Sequence, residues 1–136
     1  MAERRTKILI VEDEAVVLRT LELVLRQNGY EVRGVHDGHE AFAVAPAFAP
    51  DILLCDINLP GLDGISIALR LKRELPQMRV VLLSGEVTSA ELLEEAQRNG
   101  HHFEVLAKPA DPQQLLRVLA GAKASHTDPH GIHLVK

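Results

Sequence analysis

The chain has 136 residues, of which 46% are hydrophobic and 25% are charged, proportions that are ordinary for a globular protein. Its 15 Lys and Arg residues oppose 19 Asp and Glu residues, and the formal charge of −4 without a basic cluster disfavours binding to nucleic acid or to a membrane surface. The sequence has no apolar stretch of membrane-spanning length, no signal peptide and a single cysteine, Cys55, so we expect one cytoplasmic domain.

Short apolar runs, typical of strands buried on both faces, alternate along the chain with segments of helical period. In chain order the predicted elements are a strand over 7–11, a helix over 15–27, a strand over 31–35, a helix over 38–48, a strand over 51–55, a helix over 64–75, a strand over 79–83, a helix over 89–98, a strand over 103–107 and a helix that begins after Asp111. Pro46 is expected to shorten or fray the second helix, and Asp111 to cap the last one. Five strands alternating with five helices predict an α/β fold, with a parallel sheet that carries helices on both faces.

The helical and strand patterns end near residue 121. Residues 122–136 are polar, contain Pro129 and Gly131, and are too short for a second domain, so we expect a flexible C-terminal tail. Histidines in this segment suggest a metal site, but a flexible polar tail explains them more simply. The predicted domain therefore covers residues 5–121.

Four predicted strands run directly into residues with chemically useful side chains. The first strand leads to Glu12 and Asp13, the third to Asp56, the fourth to Ser84 and the last to Lys108. In an open parallel sheet, ligands bind beyond the carboxyl ends of the strands. We therefore expect three carboxylates, one hydroxyl and one ammonium group to converge at a single edge of the sheet.

The charges of this set indicate a metal and a phosphoryl group. Three carboxylates at close range repel one another, and a divalent cation would neutralise that charge. Oxygen ligands and an open, solvated position suit Mg²⁺. Lys108 and Ser84 would then contact an anion, and Asp56 would be the acceptor of a phosphoryl group, since aspartates can form acyl phosphates.

The residues around these positions resemble the receiver domain of two-component response regulators, in a form with no output domain attached. The matching stretches are 10–14, 54–64, 83–85 and 108–109, and the stretch from Asp56 to Gly64 is the most specific. The resemblance covers about residue 5 to residue 121. It implies a doubly wound, flavodoxin-like sheet of five strands in the order 2-1-3-4-5.

The resemblance also implies a Mg²⁺ site. Asp13, the carboxylate of Asp56 and the backbone carbonyl of Asn58 would bind the ion, and Glu12 would reach it through a water molecule. All of these ligands are oxygen atoms, as Mg²⁺ prefers.

The same resemblance implies roles in phosphoryl transfer. Asp56 would accept the phosphoryl group from the phosphohistidine of a sensor histidine kinase or a histidine phosphotransfer protein. Ser84 would be the switch hydroxyl that moves to the phosphate, and Lys108 would bind another phosphoryl oxygen. The peptide bond before Pro109 is expected to be cis, which helps to aim Lys108.

One position departs from the family pattern. Val105 stands three residues before Lys108, where family members usually carry Tyr or Phe, so the aromatic half of the switch is missing or displaced. Phe103 is the nearest aromatic residue, and it shares a strand face with Val105 only if no bulge intervenes. The loop at 99–102 is also one residue longer than usual.

Three functions remain open on the sequence. We favour a phosphorylated switch without small-molecule turnover, which acts through a downstream protein or relays its phosphoryl group. The second is a Mg²⁺-dependent phosphatase or phosphotransferase with an aspartyl-phosphate intermediate, but Asn58 stands where such an enzyme would need a second acid. The third is an interaction module that is not phosphorylated, which the complete set of acids, hydroxyl and lysine disfavours.

Overall fold

The computed structural model describes residues 4–85, 88–121 and 132–133, and strands alternate with helices through them. In chain order the elements are β1 (Lys7–Val11), α1 (Ala15–Gln27), β2 (Glu31–Val35), α2 (Gly38–Phe48), β3 (Ile52–Asp56), α3 (Gly64–Glu74), β4 (Arg79–Ser84), α4 (Thr88–Arg98), β5 (Glu104–Ala107), α5 (Pro112–Leu119) and β6 (Ile132–His133). None of the helices in this part of the chain is long and apolar enough to cross a membrane.

The strands form one sheet in the order β2-β1-β3-β4-β5-β6, in which every neighbouring pair is parallel. The predicted order 2-1-3-4-5 and the five predicted helices are confirmed. β6 is an addition at the outer edge of β5, within the segment that the sequence predicts to be a tail. The other residues of that segment, 122–131 and 134–136, lie outside the described residues.

Two apolar clusters, one on each face of the sheet, explain why the strands are continuous apolar runs. Leu9 and Val11 of β1 pack with residues of α2, α3 and α4, whereas Ile8 and Ile10 pack with residues of α1 and α5. All four side chains are fully buried. Successive residues of a strand point to opposite faces, so a sheet covered on both sides needs apolar residues at every position.

Two strands extend further than the sequence predicts. β3 includes Asp56, which pairs with Leu83, and β4 includes Ser84, which pairs with Ala107. Both site residues are therefore held by the sheet ladder rather than by a loop. The backbone of the site is fixed by the same hydrogen bonds that hold the sheet together.

α2 continues through Pro46 to Phe48 and ends at Ala49 in a left-handed conformation, with φ of 52°. The expectation that Pro46 shortens this helix is not met. Because Pro46 lies in the last turn, its missing N–H removes only one hydrogen bond of the helix.

Candidate functional site

A cleft of about 460 Å³ opens at the carboxyl ends of β1, β3 and β5. The residues that line it are Asp13, Glu14, Val17, Asp56, Asn58, Gly85, Lys108 and Pro109. Lys108 is the one basic side chain in this lining, within the described part of the chain. The cleft is therefore an acidic pocket with a single ammonium group.

Asp56 is buried at the bottom of this cleft, with 4% of its surface exposed. The Nζ atom of Lys108 donates a hydrogen bond to Asp56 Oδ2 at 2.9 Å, and the backbone N–H of Asn58 donates to Oδ1 at 3.1 Å. Both carboxylate oxygens thus have a partner. These two donors fix the orientation of the carboxylate, which a reacting group requires.

Glu12 is fully buried beside Asp56. Its Oε1 accepts a hydrogen bond from Lys108 Nζ at 3.0 Å, and its Oε2 accepts one from the backbone N–H of Glu14 at 3.0 Å. Burial raises the pKa of Glu12 above its ordinary value, and these two hydrogen bonds only partly oppose the rise. Glu12 is therefore a carboxylate whose charge this environment disfavours.

Lys108 is the counterion of both buried carboxylates. Partial burial lowers the pKa of Lys108, but its hydrogen bonds to Asp56 and Glu12 outweigh that effect and leave the pKa above the ordinary value. The ammonium is therefore charged at neutral pH. Its side chain is still 20% exposed, so a ligand in the cleft can reach it.

Asp13 adds a third carboxylate at the mouth of the cleft. Glu12, Asp13 and Asp56 each offer one ligand oxygen, and these atoms lie within 4.8 Å of one another. Asp13 is exposed, while the other two are buried. Three oxygen ligands of this charge beside a single ammonium fit a hard divalent cation with open, solvated positions, such as Mg²⁺.

Local backbone geometry holds the two sides of the cleft. A Cβ atom on Gly64 would lie 2.1 Å from the backbone oxygen of Asp56, so α3 begins in direct contact with the end of β3. Asp63 caps α3 by accepting a hydrogen bond from the backbone N–H of Ser66 at 2.9 Å. The contact between Gly64 and Asp56, together with the cap, fixes both ends of the segment 57–63, which contains Asn58.

On the other side of the cleft, the Lys108–Pro109 peptide bond is cis, as the resemblance implies. The backbone N–H of Lys108 donates to the carbonyl of Ser84 at 2.9 Å, so β4 positions the lysine. A Cβ atom on Gly85 would lie 3.1 Å from Lys108 Cβ, a close approach that favours the absence of a side chain.

The structure brings together five of the six residues selected from the sequence: Glu12, Asp13, Asp56, Asn58 and Lys108. Ser84 ends β4 next to this group, but Gly85 rather than Ser84 lines the cleft. Val105 is fully buried, and Phe103 packs against the same apolar cluster, so the two residues share one face of the sheet. β5 begins at Glu104, so Phe103 directly precedes the strand.

Two backbone N–H groups contribute to the site in a way that the sequence does not predict. The N–H groups of Asn58 and Glu14 each hold a buried carboxylate, that of Asp56 and that of Glu12. Residue identity carries little information about such donors, since every residue except proline has one. The glycine at Gly64, directly after a capping aspartate, was the available sign of a close backbone contact.

Comparison with known proteins addresses the family of this domain. A family model described as the response regulator receiver domain matches residues 8–120. The chain belongs to this family. It is thus a receiver domain of the kind found in two-component response regulators, with the expected sheet order and helices.

Curated relatives of this receiver are larger regulators. The DNA-binding response regulator MtrA of Mycobacterium tuberculosis is 28% identical over 130 residues, which cover 95% of this chain and 56% of MtrA. The transcriptional regulatory protein CseB of Streptomyces avermitilis is 36% identical over 93 residues, covering 68% and 39%. A protein-glutamate methylesterase/protein-glutamine glutaminase of Rhodospirillum rubrum is 38% identical over 92 residues, covering 67% and 25%. The chain spans about half the length of MtrA and less of the other two.

Solved structures of receiver domains match over nearly their whole length. The signal receiver domain of an HD domain-containing protein from Pseudomonas fluorescens has a TM-score of 0.80 and 28% identity, with 88% of this chain and 94% of that chain covered. The chemotaxis protein CheY4 of Vibrio cholerae has a TM-score of 0.76 and 29% identity, with 88% and 100% covered. The receiver fold therefore accounts for all but the ends of this chain.

Proposed function

We propose that this receiver accepts a phosphoryl group on Asp56 from a phosphohistidine and acts as a signalling switch. The observation that carries the proposal is the buried Asp56 carboxylate, held between the Lys108 ammonium and the Asn58 N–H beside two further acids. A buried carboxylate with fixed orientation and an exposed path to solvent is suited to nucleophilic attack. Residues 5–121 would form the switch domain.

The proposed transfer is a displacement at phosphorus. A carboxylate oxygen of Asp56 forms a bond to phosphorus while the P–N bond to the donor imidazole breaks, and the imidazole leaves with the bonding electron pair. Lys108 stabilises the negative charge on the phosphoryl oxygens, since its ammonium already lies 2.9 Å from Asp56 Oδ2. Ser84 is proposed to donate a hydrogen bond from its hydroxyl to another phosphoryl oxygen.

A Mg²⁺ ion is proposed to bind between Asp13, Asp56 and the backbone carbonyl of Asn58, with Glu12 as an outer ligand. When bound, it would neutralise the charge of the carboxylates and of the incoming phosphoryl group. With Mg²⁺ present, a second cation besides Lys108 would balance the charge of Glu12 and Asp56. The Lys108 ammonium would then be free to pair with phosphoryl oxygens.

The proposed donor is a protein, either a sensor histidine kinase or a histidine phosphotransfer protein. Val16 of α1, which is 79% exposed, directly precedes Val17 of the cleft lining, and Leu62, in the connection between β3 and α3, is 41% exposed. Burial of such apolar surface would contribute to the docking of another protein. After phosphorylation, the receiver is proposed to signal through a downstream protein or to relay its phosphoryl group, without turnover of a small molecule.

The test is phosphorylation of the full chain in vitro. The protein is incubated with Mg²⁺ and a small phosphodonor such as acetyl phosphate, and its intact mass is measured before and after treatment with alkali. We expect an alkali-labile mass increase of one phosphoryl group. Asp56→Asn should abolish it, because the amide is a far poorer nucleophile than the carboxylate.

Asp63→Asn is the matched control. It makes the same change of functional group at the helix cap that follows β3, and asparagine still caps a helix, so this variant should accept the phosphoryl group like the unchanged protein. A mass increase that persists in Asp56→Asn would exclude Asp56 as the acceptor. Rapid hydrolysis of a phosphate monoester by the unchanged protein would favour the phosphatase alternative instead.

A further inference from the structure

The outer edge of the receiver sheet is closed by the C-terminal part of the same chain. β6 pairs in parallel with β5, and its two residues lie opposite Val105 and Leu106 in the register of the ladder. The sequence alone predicted only a flexible tail at this position. The pairing turns part of that segment into the sixth strand of the sheet.

The end of α5 lies where a further parallel strand must begin. The Arg79 guanidinium, at the amino end of β4, donates a hydrogen bond to the backbone carbonyl of Leu119 at 3.2 Å. The chain thus leaves α5 near the end of the sheet at which the parallel strands have their amino ends. The ten residues 122–131 are more than enough to reach the edge of β5, so a β–α–β crossover within one chain is feasible.

The backbone of β5 has two sets of hydrogen-bonding groups. The Lys108 N–H donates to the Ser84 carbonyl on β4. In a parallel ladder, alternate residues face the same neighbour. Leu106 therefore also faces β4, whereas Val105 and Ala107 face the outer edge, where β6 lies.

The register of β6 assigns the backbone groups that meet at this edge. It sets the His133 N–H opposite the carbonyl of Val105, and the Ala107 N–H opposite the carbonyl of His133. The Ile132 N–H points away from β5. The two residues of β6 are therefore not equivalent, which makes the pairing testable by single substitutions.

β5 also lacks the features by which proteins usually block strand addition at an edge. Val105 and Leu106 are apolar and fully buried, and the carboxylate of Glu104 is paired with Arg79 at 2.6 Å. Neither a proline nor an unpaired inward charge lies within Glu104–Ala107. The edge can therefore pair with an extended segment.

We propose that the β5 edge is a docking site for an extended strand, and that its resident occupant is β6 (Ile132–His133) of the same chain. Two paired residues make few hydrogen bonds, so this strand detaches without unfolding of the remaining sheet. While it is docked, it closes the edge to strands from other molecules. The proposal does not depend on phosphoryl transfer to Asp56.

The test compares His133→Pro with Ile132→Pro in the full chain, by amide hydrogen exchange resolved by residue with NMR. His133→Pro removes the N–H that faces β5, whereas Ile132→Pro removes the one that points away. In His133→Pro we expect the amide of Ala107 to exchange at least about tenfold faster, while the amide of Leu106 is unchanged. Ile132→Pro should resemble the unchanged chain.

A synthetic peptide of residues 129–136, added to His133→Pro, should slow exchange at Ala107 again. Slow exchange in β1 and β3 verifies that each variant is folded. Equal exchange rates in both variants and the unchanged chain would overturn the proposal. Protection of Ala107 that increases with protein concentration would also overturn it, because the strand would then come from a second copy.

Discussion

Glu12 and Asp56 are buried carboxylates that share a single ammonium group, that of Lys108. The removal of charges from water is unfavourable, and one lysine does not fully compensate two acids. The raised pKa of Glu12 expresses this imbalance. The arrangement lowers the stability of the metal-free protein, as is common where a site is built for a ligand that carries the missing charge.

Glu12→Gln should therefore stabilise the metal-free protein at pH 7, by up to about 1 kcal/mol. The folded protein holds the Glu12 proton more tightly than the unfolded chain does, so the stability associated with this group falls as the pH rises through its raised pKa. Urea unfolding in the presence of a chelator should show the gain at pH 7. The gain should vanish below about pH 4, where both states are protonated.

The control for this measurement is Glu14→Gln, which changes an exposed side chain two residues away. It should leave the urea midpoint nearly unchanged at both pH values. A lower stability of Glu12→Gln at pH 7 would contradict the prediction. It would mean that the hydrogen bonds from Lys108 and Glu14 outweigh the burial of the charge.

At the scale of elements, the contact between the end of β3 and the start of α3 holds the acidic side of the cleft. Gly64 lies so close to the Asp56 backbone that no side chain fits, and the Gly64 N–H donates to the carbonyl of Ile57 at 2.9 Å. β3 is a central strand, and α3 covers one face of the sheet. Neither element can move away from the other without disrupting the packing of the core.

Gly64→Ala should consequently destabilise the protein by about 2–4 kcal/mol, because the new Cβ atom would lie 2.1 Å from the Asp56 oxygen. The measurement is urea unfolding followed by circular dichroism. Phosphorylation of the folded variant with acetyl phosphate should also be slower, since the backbone shift moves Asp56.

Gly61→Ala provides the comparison within the same connection. Gly61 has φ of 82°, which is unfavourable for alanine, but nothing lies within 4 Å of a Cβ atom there. Its cost should be only about 1 kcal/mol, from backbone conformation alone. Similar costs for the two variants would show that the contact with Asp56 relaxes easily.

At the scale of the whole molecule, ligand binding and folding are linked through the converging strands. Two of the three carboxylates, Glu12 and Asp13, directly follow β1, and the third, Asp56, ends β3, so they meet only when the sheet is assembled. An ion that binds this cluster therefore binds the folded state alone. Its binding free energy adds to the free energy of unfolding of the entire domain.

Mg²⁺ should therefore stabilise the unchanged protein, by about 2.7 kcal/mol when free Mg²⁺ is a hundredfold above its dissociation constant. Asp13→Asn should remove most of this gain, because an exposed ligand is lost while the buried core is untouched. The measurement is the thermal unfolding midpoint as a function of Mg²⁺ concentration, and chelation should reverse the shift. Equal stabilisation of the two proteins would exclude Asp13 as a ligand.

The architecture and the convergence of the site follow from the order of residues along the chain. Apolar runs long enough for one strand, each followed by a helical stripe, allow a parallel sheet with covered faces. Parallel strands end at the same edge, so polar residues placed directly after them, such as Asp13 and Lys108, must meet there. No contact needs to be known for this inference, because strand direction alone imposes it.

Which side chains and backbone groups contact one another is visible only in the folded molecule. Lys108 bridges Glu12 and Asp56, which lie 96 and 52 residues away, and the Asn58 N–H orients the acceptor carboxylate. The sequence pattern also did not predict the pairing of β6 with β5, since two residues carry too little periodicity to predict a strand. These features depend on distances between segments remote in sequence and on backbone groups that every residue shares, and local pattern specifies neither.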